Sequence, residues 1–150
     1  MADFNRMVAH FLDGKVLKGT SQNFLPSRPS FQMRRADTGA PVTIEWRALK
    51  AVFSVKDFVG NRLRQDIQGF VRGPAENAHG NKIAVRFADN ELLCGYTHAY
   101  APGRDGFFVF PSDPNNNILR VYVLRHATRE IGVGPDADRM AKAASRPHAA

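Results

Sequence analysis

The chain has 150 residues, of which 43% are hydrophobic and 10% aromatic, a composition that excludes a wholly disordered chain. It has 21 Lys and Arg against 14 Asp and Glu, a net charge of +7, and a basic protein favours anionic partners such as nucleic acid. No apolar run approaches the roughly 20 residues of a membrane-spanning helix, and the single cysteine, Cys94, excludes an intramolecular disulfide and a multi-cysteine metal site. We expect a soluble, cytoplasmic protein.

Ten short segments have the runs of β-branched and aromatic residues that predict strands. In the first half of the chain they are 7–11, 16–24, 30–34, 42–46 and 49–55. In the second half they are 82–87, 91–100, 106–110, 118–124 and 128–133. Asp13-Gly14 and Asp89-Asn90 predict hairpin turns, because these residue types tolerate the positive φ that such turns need.

The two halves resemble each other in sequence. Residues 11–31, FLDGKVLKGTSQNFLPSRPSF, align with residues 87–107, FADNELLCGYTHAYAPGRDGF, at an offset of 76 with seven identities in 21 positions. About one identity is expected from average residue usage. Further along, 42–55 and 120–133 align at a slightly larger offset that pairs Arg47 with Arg125. The pattern predicts an internal duplication of one five-strand unit.

We therefore predict an all-β protein made of two tandem small barrels of Sm or SH3 type with a flexible C-terminal tail. The first barrel repeat covers 5–56 and the second covers 81–134. A linker with a possible extra strand occupies 57–80. The tail, 135–150, is either frayed or a single short helix.

The repeated hairpin, in which "VLKG" or "LLCG" follows a turn, resembles the first sequence motif of the Sm-like barrel family and other SH3-type barrels. "EWRA" at 45–48 and "VLRH" at 123–126 keep the arginine of that family's second motif and lack its glycine. The Asp and Asn that contact uridine in RNA-binding members have no counterpart in either half. The resemblance therefore supports the fold more than it supports RNA binding.

A second resemblance concerns the whole chain. The segments "LKAVFSVKDFVGN", "GFFVFPSDPNNN" and "RVYV" are similar to those of a bacterial family that is a domain of unknown function. This resemblance implies a small bacterial regulatory or binding module.

Arginines in aromatic-flanked turns are the strongest candidates for ligand binding. An arginine in such a turn binds phosphate with two hydrogen bonds or stacks on a base; the structural alternative is an arginine stacked on its own aromatic neighbour. The candidates are Arg28 and Arg104 with Phe24 and Tyr100, the second-motif pair Arg47 and Arg125, and Arg34 at a strand end.

Two other repeated or reactive features have structural explanations. Gly19 and Gly95 are equivalent, and a sharply bent strand explains them better than a ligand does. The five histidines lack metal-ligand spacing, Cys94 lies in a strand, and no phosphate-binding glycine loop is present. We expect no metal, no cofactor and no catalytic residue.

The function that follows is a non-enzymatic bacterial binding or regulatory module. The leading hypothesis is that it binds an anionic partner, either RNA, DNA or a signalling nucleotide, through its loop arginines. The alternative is a protein–protein adaptor in a bacterial signalling system that uses a sheet edge or aromatic loops. The sequence does not predict an oligomeric state.

Overall fold

The computed structural model describes residues 6–21, 28–56, 80–98, 100–101, 103–111 and 117–145. This part of the chain is all-β with one helix. Its strands are β1 Arg6–Phe11, β2 Val16–Thr20, β3 Ser30–Arg35, β4 Pro41–Glu45, β5 Leu49–Val55, β6 Asn81–Phe87, β7 Leu92–Thr97, β8 Gly106–Pro111, β9 Ile118–Leu124 and β10 Thr128–Val133. Helix α1 is Pro135–Ser145, and two 3₁₀ turns cover Trp46–Ala48 and Arg125–Ala127. Ten strands were predicted at these places, whereas the possible extra strand falls outside the described residues.

All ten strands form one antiparallel sheet in the order β10-β6-β7-β8-β9-β5-β1-β2-β3-β4. The first half (β1–β5) and the second half (β6–β10) have the same internal order, in which the fifth strand pairs with the first and the others follow in sequence. The halves join where β5 pairs with β9, with Ala51 opposite Val123 and Phe53 opposite Val121. The sequence predicts two tandem barrels, and the structure has one continuous, open sheet.

The central strands β5 and β9 explain this difference, because both have apolar residues on their two faces. Every residue of β5 is buried. One core combines Ala51, Phe53 and Val55 of β5 with residues of the second half, including Val121 and Val123 of β9. The other core combines residues of the first half, including Leu49 and Val52, with Tyr122 and Leu124 of β9. Each half therefore completes its core with a strand from the other half.

The edge strands β4 and β10 have the opposite character. Pro41, Thr43 and Glu45 of β4 are exposed, as are Arg129 and Glu130 of β10. Proline and charged side chains on an edge strand hinder pairing with a further strand. The sheet therefore ends at these two strands.

The repeated glycines are explained by close strand packing. A Cβ on Gly19 would lie 2.2 Å from the Arg34 carbonyl oxygen, and one on Gly95 would lie 2.2 Å from that of Phe110. Beside them, the Ser21 hydroxyl donates to the Gln32 carbonyl oxygen (2.7 Å) and the equivalent Thr97 hydroxyl to that of Phe108 (2.8 Å). Both halves thus bend the second strand over the third in the same way.

The two 3₁₀ turns correct the sequence alignment. The Leu12 amide donates to the Ala48 carbonyl oxygen (2.9 Å), and the equivalent Ala88 amide donates to that of Ala127 (2.8 Å). Ala48 and Ala127 are therefore equivalent. It follows that Arg47 corresponds to His126, and not to Arg125 as the sequence alignment predicts.

The predicted tail forms, through Ser145, the single short helix that was one of its two predicted forms. This helix packs on β6, β7 and β10 of the second half, so this part of the segment is not a flexible tail. Ala137, Met140 and Ala141 of α1 form a buried cluster with Ala84, Leu92 and Cys94. At Gly132 a Cβ would lie 2.9 Å from the Asp136 carbonyl carbon, so the glycine lets the helix approach β10. No helix in the described residues is long and apolar enough to cross a membrane.

Candidate anion-binding groove

A groove of about 790 Å³ lies between equivalent segments of the two halves. Its lining comes from the ends of β4 and β9, the two 3₁₀ turns, the start of β10 and the residues before β3 and β8. The lining residues are Pro29, Glu45, Trp46, Arg47, Asp105, Leu124, Arg125, His126 and Thr128. A groove of this size is in the range that accommodates small organic ligands.

The lining consists largely of equivalent positions with different chemistry. Pro29 corresponds to Asp105 at the sequence offset of 76. Through the aligned 3₁₀ turns, Trp46 corresponds to Arg125 and Arg47 to His126. The two walls therefore occupy matching places in the fold and present different side chains. A ligand meets an asymmetric site.

On the first-half wall, Arg47 forms an ion pair with Glu45, with Nε 3.0 Å from Oε2. The side chains of Arg47 and Glu45 are 84% and 55% exposed. Ion pairs this exposed contribute little to stability, because water screens the charges. A ligand anion can therefore compete with Glu45 for the guanidinium of Arg47.

On the second-half wall, hydrogen bonds to backbone carbonyl oxygens hold the main chain of the lining residues in place. The Arg125 amide donates to the Asp105 carbonyl oxygen (2.9 Å), and the Thr128 hydroxyl donates to the Arg125 carbonyl oxygen (2.7 Å). His126 Nε2 donates to the Leu49 carbonyl oxygen (2.7 Å). That last bond joins the second 3₁₀ turn to β5 of the first half, so it holds the two walls together.

The lining residue Trp46 packs against other aromatic rings. Trp46 packs against Phe31 with ring centroids 4.5 Å apart and against Tyr122 with centroids 5.2 Å apart. Burial raises the pKa of Tyr122, with the charge of Asp105 raising it further and that of Arg104 opposing it. Arg104 and Asp105 are thus both close enough to this hydroxyl to act on it.

Two of the five predicted arginines line this groove, and two more are sequence neighbours of lining residues. Arg47 and Arg125 line it, and Arg28 and Arg104 each directly precede a lining residue, Pro29 and Asp105. Both Arg28 and Arg104 are exposed. The lining itself has two arginines and two carboxylates, and the two further arginines are next to lining residues in sequence.

Of the other three predicted site residues, Arg34 and Tyr100 are not among the lining residues of the groove. Arg34 donates from Nη1 to the Gly39 carbonyl oxygen (2.7 Å) in the β3–β4 turn. Tyr100 packs edge-on against Phe107, with centroids 5.1 Å apart, at the second-half core. Phe24 lies outside the described residues.

Sequence reasoning missed Asp105 and His126 as site residues. Asp105 follows a predicted arginine directly, and its position opposite Pro29 was visible in the alignment. His126 was hidden because the alignment paired the wrong residues in the 3₁₀ turns.

A separate charged cluster joins the halves behind the groove. Lys50 of β5, whose side chain is 9% exposed, places Nζ 2.7 Å from Asp89 Oδ2 and 3.3 Å from Glu91 Oε2. Nζ also lies 4.6 Å from the centroid of the Phe87 ring. The cluster is a contact between the two halves in which Lys50 is buried and both carboxylates are exposed. The described residues contain no group of three or more His, Cys, Asp or Glu that could hold a metal ion.

A family model for a family of unknown function, DUF6982, matches residues 3–134. The chain belongs to this family. The part of the DUF6982 chain that matches extends from before β1 through β10, and helix α1 follows it. No curated protein and no solved structure gives a significant match to this DUF6982 protein.

Proposed function

We propose that this DUF6982 protein is a non-enzymatic bacterial module that binds an anionic ligand, a nucleotide or nucleic acid, in the groove between its halves. The observation that carries the proposal is that Arg47 and Arg125, from equivalent turns of the two halves, line one groove. Arg28 and Arg104 are exposed and directly precede the lining residues Pro29 and Asp105 in sequence. Guanidinium groups bind phosphate with paired, charge-assisted hydrogen bonds. The groove volume of about 790 Å³ suits a ligand of nucleotide size.

The fold supports a finer proposal about origin. We propose that the two halves are copies of one five-strand unit related to the Sm-like and SH3-type barrels. Equal strand order, equal glycine contacts and equal hydroxyl hydrogen bonds support this duplication. The duplication would place a binding groove where the copies meet.

The function is tested by removing the groove charges. In the double variant R47A/R125A, affinity for inorganic phosphate, mononucleotides and mixed single-stranded RNA should fall at least about tenfold, because two charge-assisted contacts are lost. Calorimetric titration at low and moderate salt measures this. Binding of RNA to the unmodified protein should also weaken steeply as salt increases.

Arg139→Ala is the matched control. Arg139 is exposed on α1, where it pairs with Asp136 at 2.7 Å, so this variant loses a positive charge outside the groove. It should bind anions as the unmodified protein does. If no anion binds the unmodified protein at low salt, the proposal fails, and a protein partner at a sheet edge becomes the function to test.

A further inference from the structure

One groove residue is at odds with simple phosphate binding. The Asp105 side chain lines the groove and is exposed, with no hydrogen-bond or ion-pair partner among the residues that the structure describes. Its backbone carbonyl is occupied by the Arg125 amide. By contrast, the other lining carboxylate, Glu45, is paired with Arg47.

A free carboxylate in a basic groove selects among anions. It repels inorganic phosphate, because both groups are negative. An ionised carboxylate only accepts hydrogen bonds, and its two oxygens can accept two parallel N–H donors. A ligand that hydrogen-bonds to Asp105 and also binds the arginines therefore combines a pair of adjacent N–H donors with an anionic group.

Among the nucleotide bases, guanine has that arrangement. Its N1–H and its exocyclic amino group donate side by side, whereas adenine presents N1 as an acceptor next to its amino group. An acceptor facing a carboxylate leaves both groups without a donor, so adenine cannot make the paired contact that guanine makes. The phosphate of the same nucleotide carries the negative charge that Arg47 and Arg125 attract.

We propose that the groove binds a guanine nucleotide, with Asp105 accepting from the Watson–Crick edge of the base and Arg125 and Arg47 contacting the phosphate. The inference rests on the proposed function and adds the base to it. The first-half equivalent of Asp105 is Pro29, which offers no acceptor side chain. Because only the second-half wall has this acceptor, we expect one guanine to bind per groove.

The test compares GMP, AMP and inorganic phosphate by calorimetry at low salt. We expect GMP to bind about tenfold or more tightly than AMP, because a good bidentate contact discriminates between bases by about that factor or more. A four-nucleotide RNA with one guanine is compared with GMP in the same way. Weaker binding of the RNA than of GMP means that the groove takes a free nucleotide, and tighter binding means that it takes a guanine within a single strand.

Asp105→Asn should bring the GMP-to-AMP affinity ratio close to one and leave phosphate affinity equal or higher. Asp105→Ser should do the same, and it serves if the first variant does not fold. Glu130→Gln, which removes an exposed carboxylate outside the groove, should keep the guanine preference. Equal affinities of the unmodified protein for GMP and AMP would overturn the guanine assignment and leave anion binding intact. Absence of binding by all three probes would overturn both.

Discussion

The exposed arginines of this protein differ from its buried charges in what they contribute. Arg28 and Arg104 are exposed next to groove residues. Lys50 is buried against two carboxylates of the other half. Exposed side chains with few contacts change stability by less than about 0.5 kcal/mol when they are replaced. Arg28 and Arg104 are therefore available for ligand binding, whereas Lys50 contributes to the stability of the fold.

The double variant R28A/R104A should bind anions more weakly than the unmodified protein, because two positive charges beside the groove are removed. Its denaturation midpoint in urea should stay nearly unchanged. Titration with a nucleotide and urea unfolding measure the two properties in the same samples. A large loss of stability would mean instead that these arginines pack on their aromatic neighbours.

His10 gives the fold a dependence on pH. Its ring packs on Phe53, with centroids 4.5 Å apart. Burial lowers its pKa below 6.5, and Lys50 lowers it further, while Glu91 and Asp89 act in the opposite direction. Since the folded protein favours the neutral imidazole, His10 stabilises the fold fully above the unfolded pKa. That stabilisation is lost as the pH falls below about 6.5 towards the folded pKa.

We therefore expect the unfolding free energy to be lower at pH 5.5 than at pH 7.5, and the difference to shrink in His10→Gln. Urea titrations at the two pH values measure this. His98→Gln, at an exposed histidine, is the control and should keep the full difference. An unchanged difference in the His10 variant would show that other groups cause the pH dependence.

At the scale of elements, helix α1 covers the thiol of Cys94. The cysteine is buried with Ala137, Met140 and Ala141 of the helix. Burial raises its pKa to about 11, although Arg86 acts to lower it. A thiol with such a pKa is almost entirely protonated at neutral pH, and the protonated form is a poor nucleophile.

Ala137→Glu should increase the rate of Cys94 alkylation at pH 8 by about tenfold or more, because a buried charge on α1 displaces the helix from the sheet. Ala143→Glu is the matched control, since Ala143 is exposed on the same helix, and it should leave the rate unchanged. A thiol-reactive dye followed by absorbance measures both. Fast alkylation of the unmodified protein would contradict the protection.

The strands were predictable because each depends on local sequence. Alternation, β-branched residues and turn residues act over a few positions, and these placed all ten strands. The packing of α1 was not predictable, because its Ala-rich surface becomes buried only when the β6–β7 hairpin is beside it. The correspondence of Arg47 with His126 was missed because it is set by backbone hydrogen bonds from Leu12 and Ala88 to the 3₁₀ turns, which leave no trace in residue identity.

At the scale of the molecule, the groove could be predicted only in part. Loop arginines are visible in a sequence. Two of the five predicted arginines line the groove, and two more directly precede lining residues in sequence. Their convergence depends on the pairing of β5 with β9, which joins strands about 70 residues apart. Periodicity does not specify such a pairing, although the two-sided apolar character of both strands is consistent with it.

The shared cores predict that the halves unfold together. Ile83→Ala, in the second-half core with an exposure of 0%, should destabilise the protein by about 2–5 kcal/mol. Trp46, the only tryptophan, lies in the first-half core. Its fluorescence midpoint should therefore shift in parallel with the midpoint from far-ultraviolet circular dichroism. Separate transitions by the two probes would show that the halves are independent.

The contrast between the central and the edge strands sets a limit on the length of the array. In the first half, β5 is buried on both faces and pairs with a strand of the next unit. A third five-strand unit after β10 would require β10 to be buried and paired in the same way. The exposed Arg129 and Glu130 prevent that, and the exposed Pro41 on β4 has the same effect at the other end. Among the described residues, the two outermost strands of the open sheet thus hinder pairing with a further unit, and the groove described above lies between the two units.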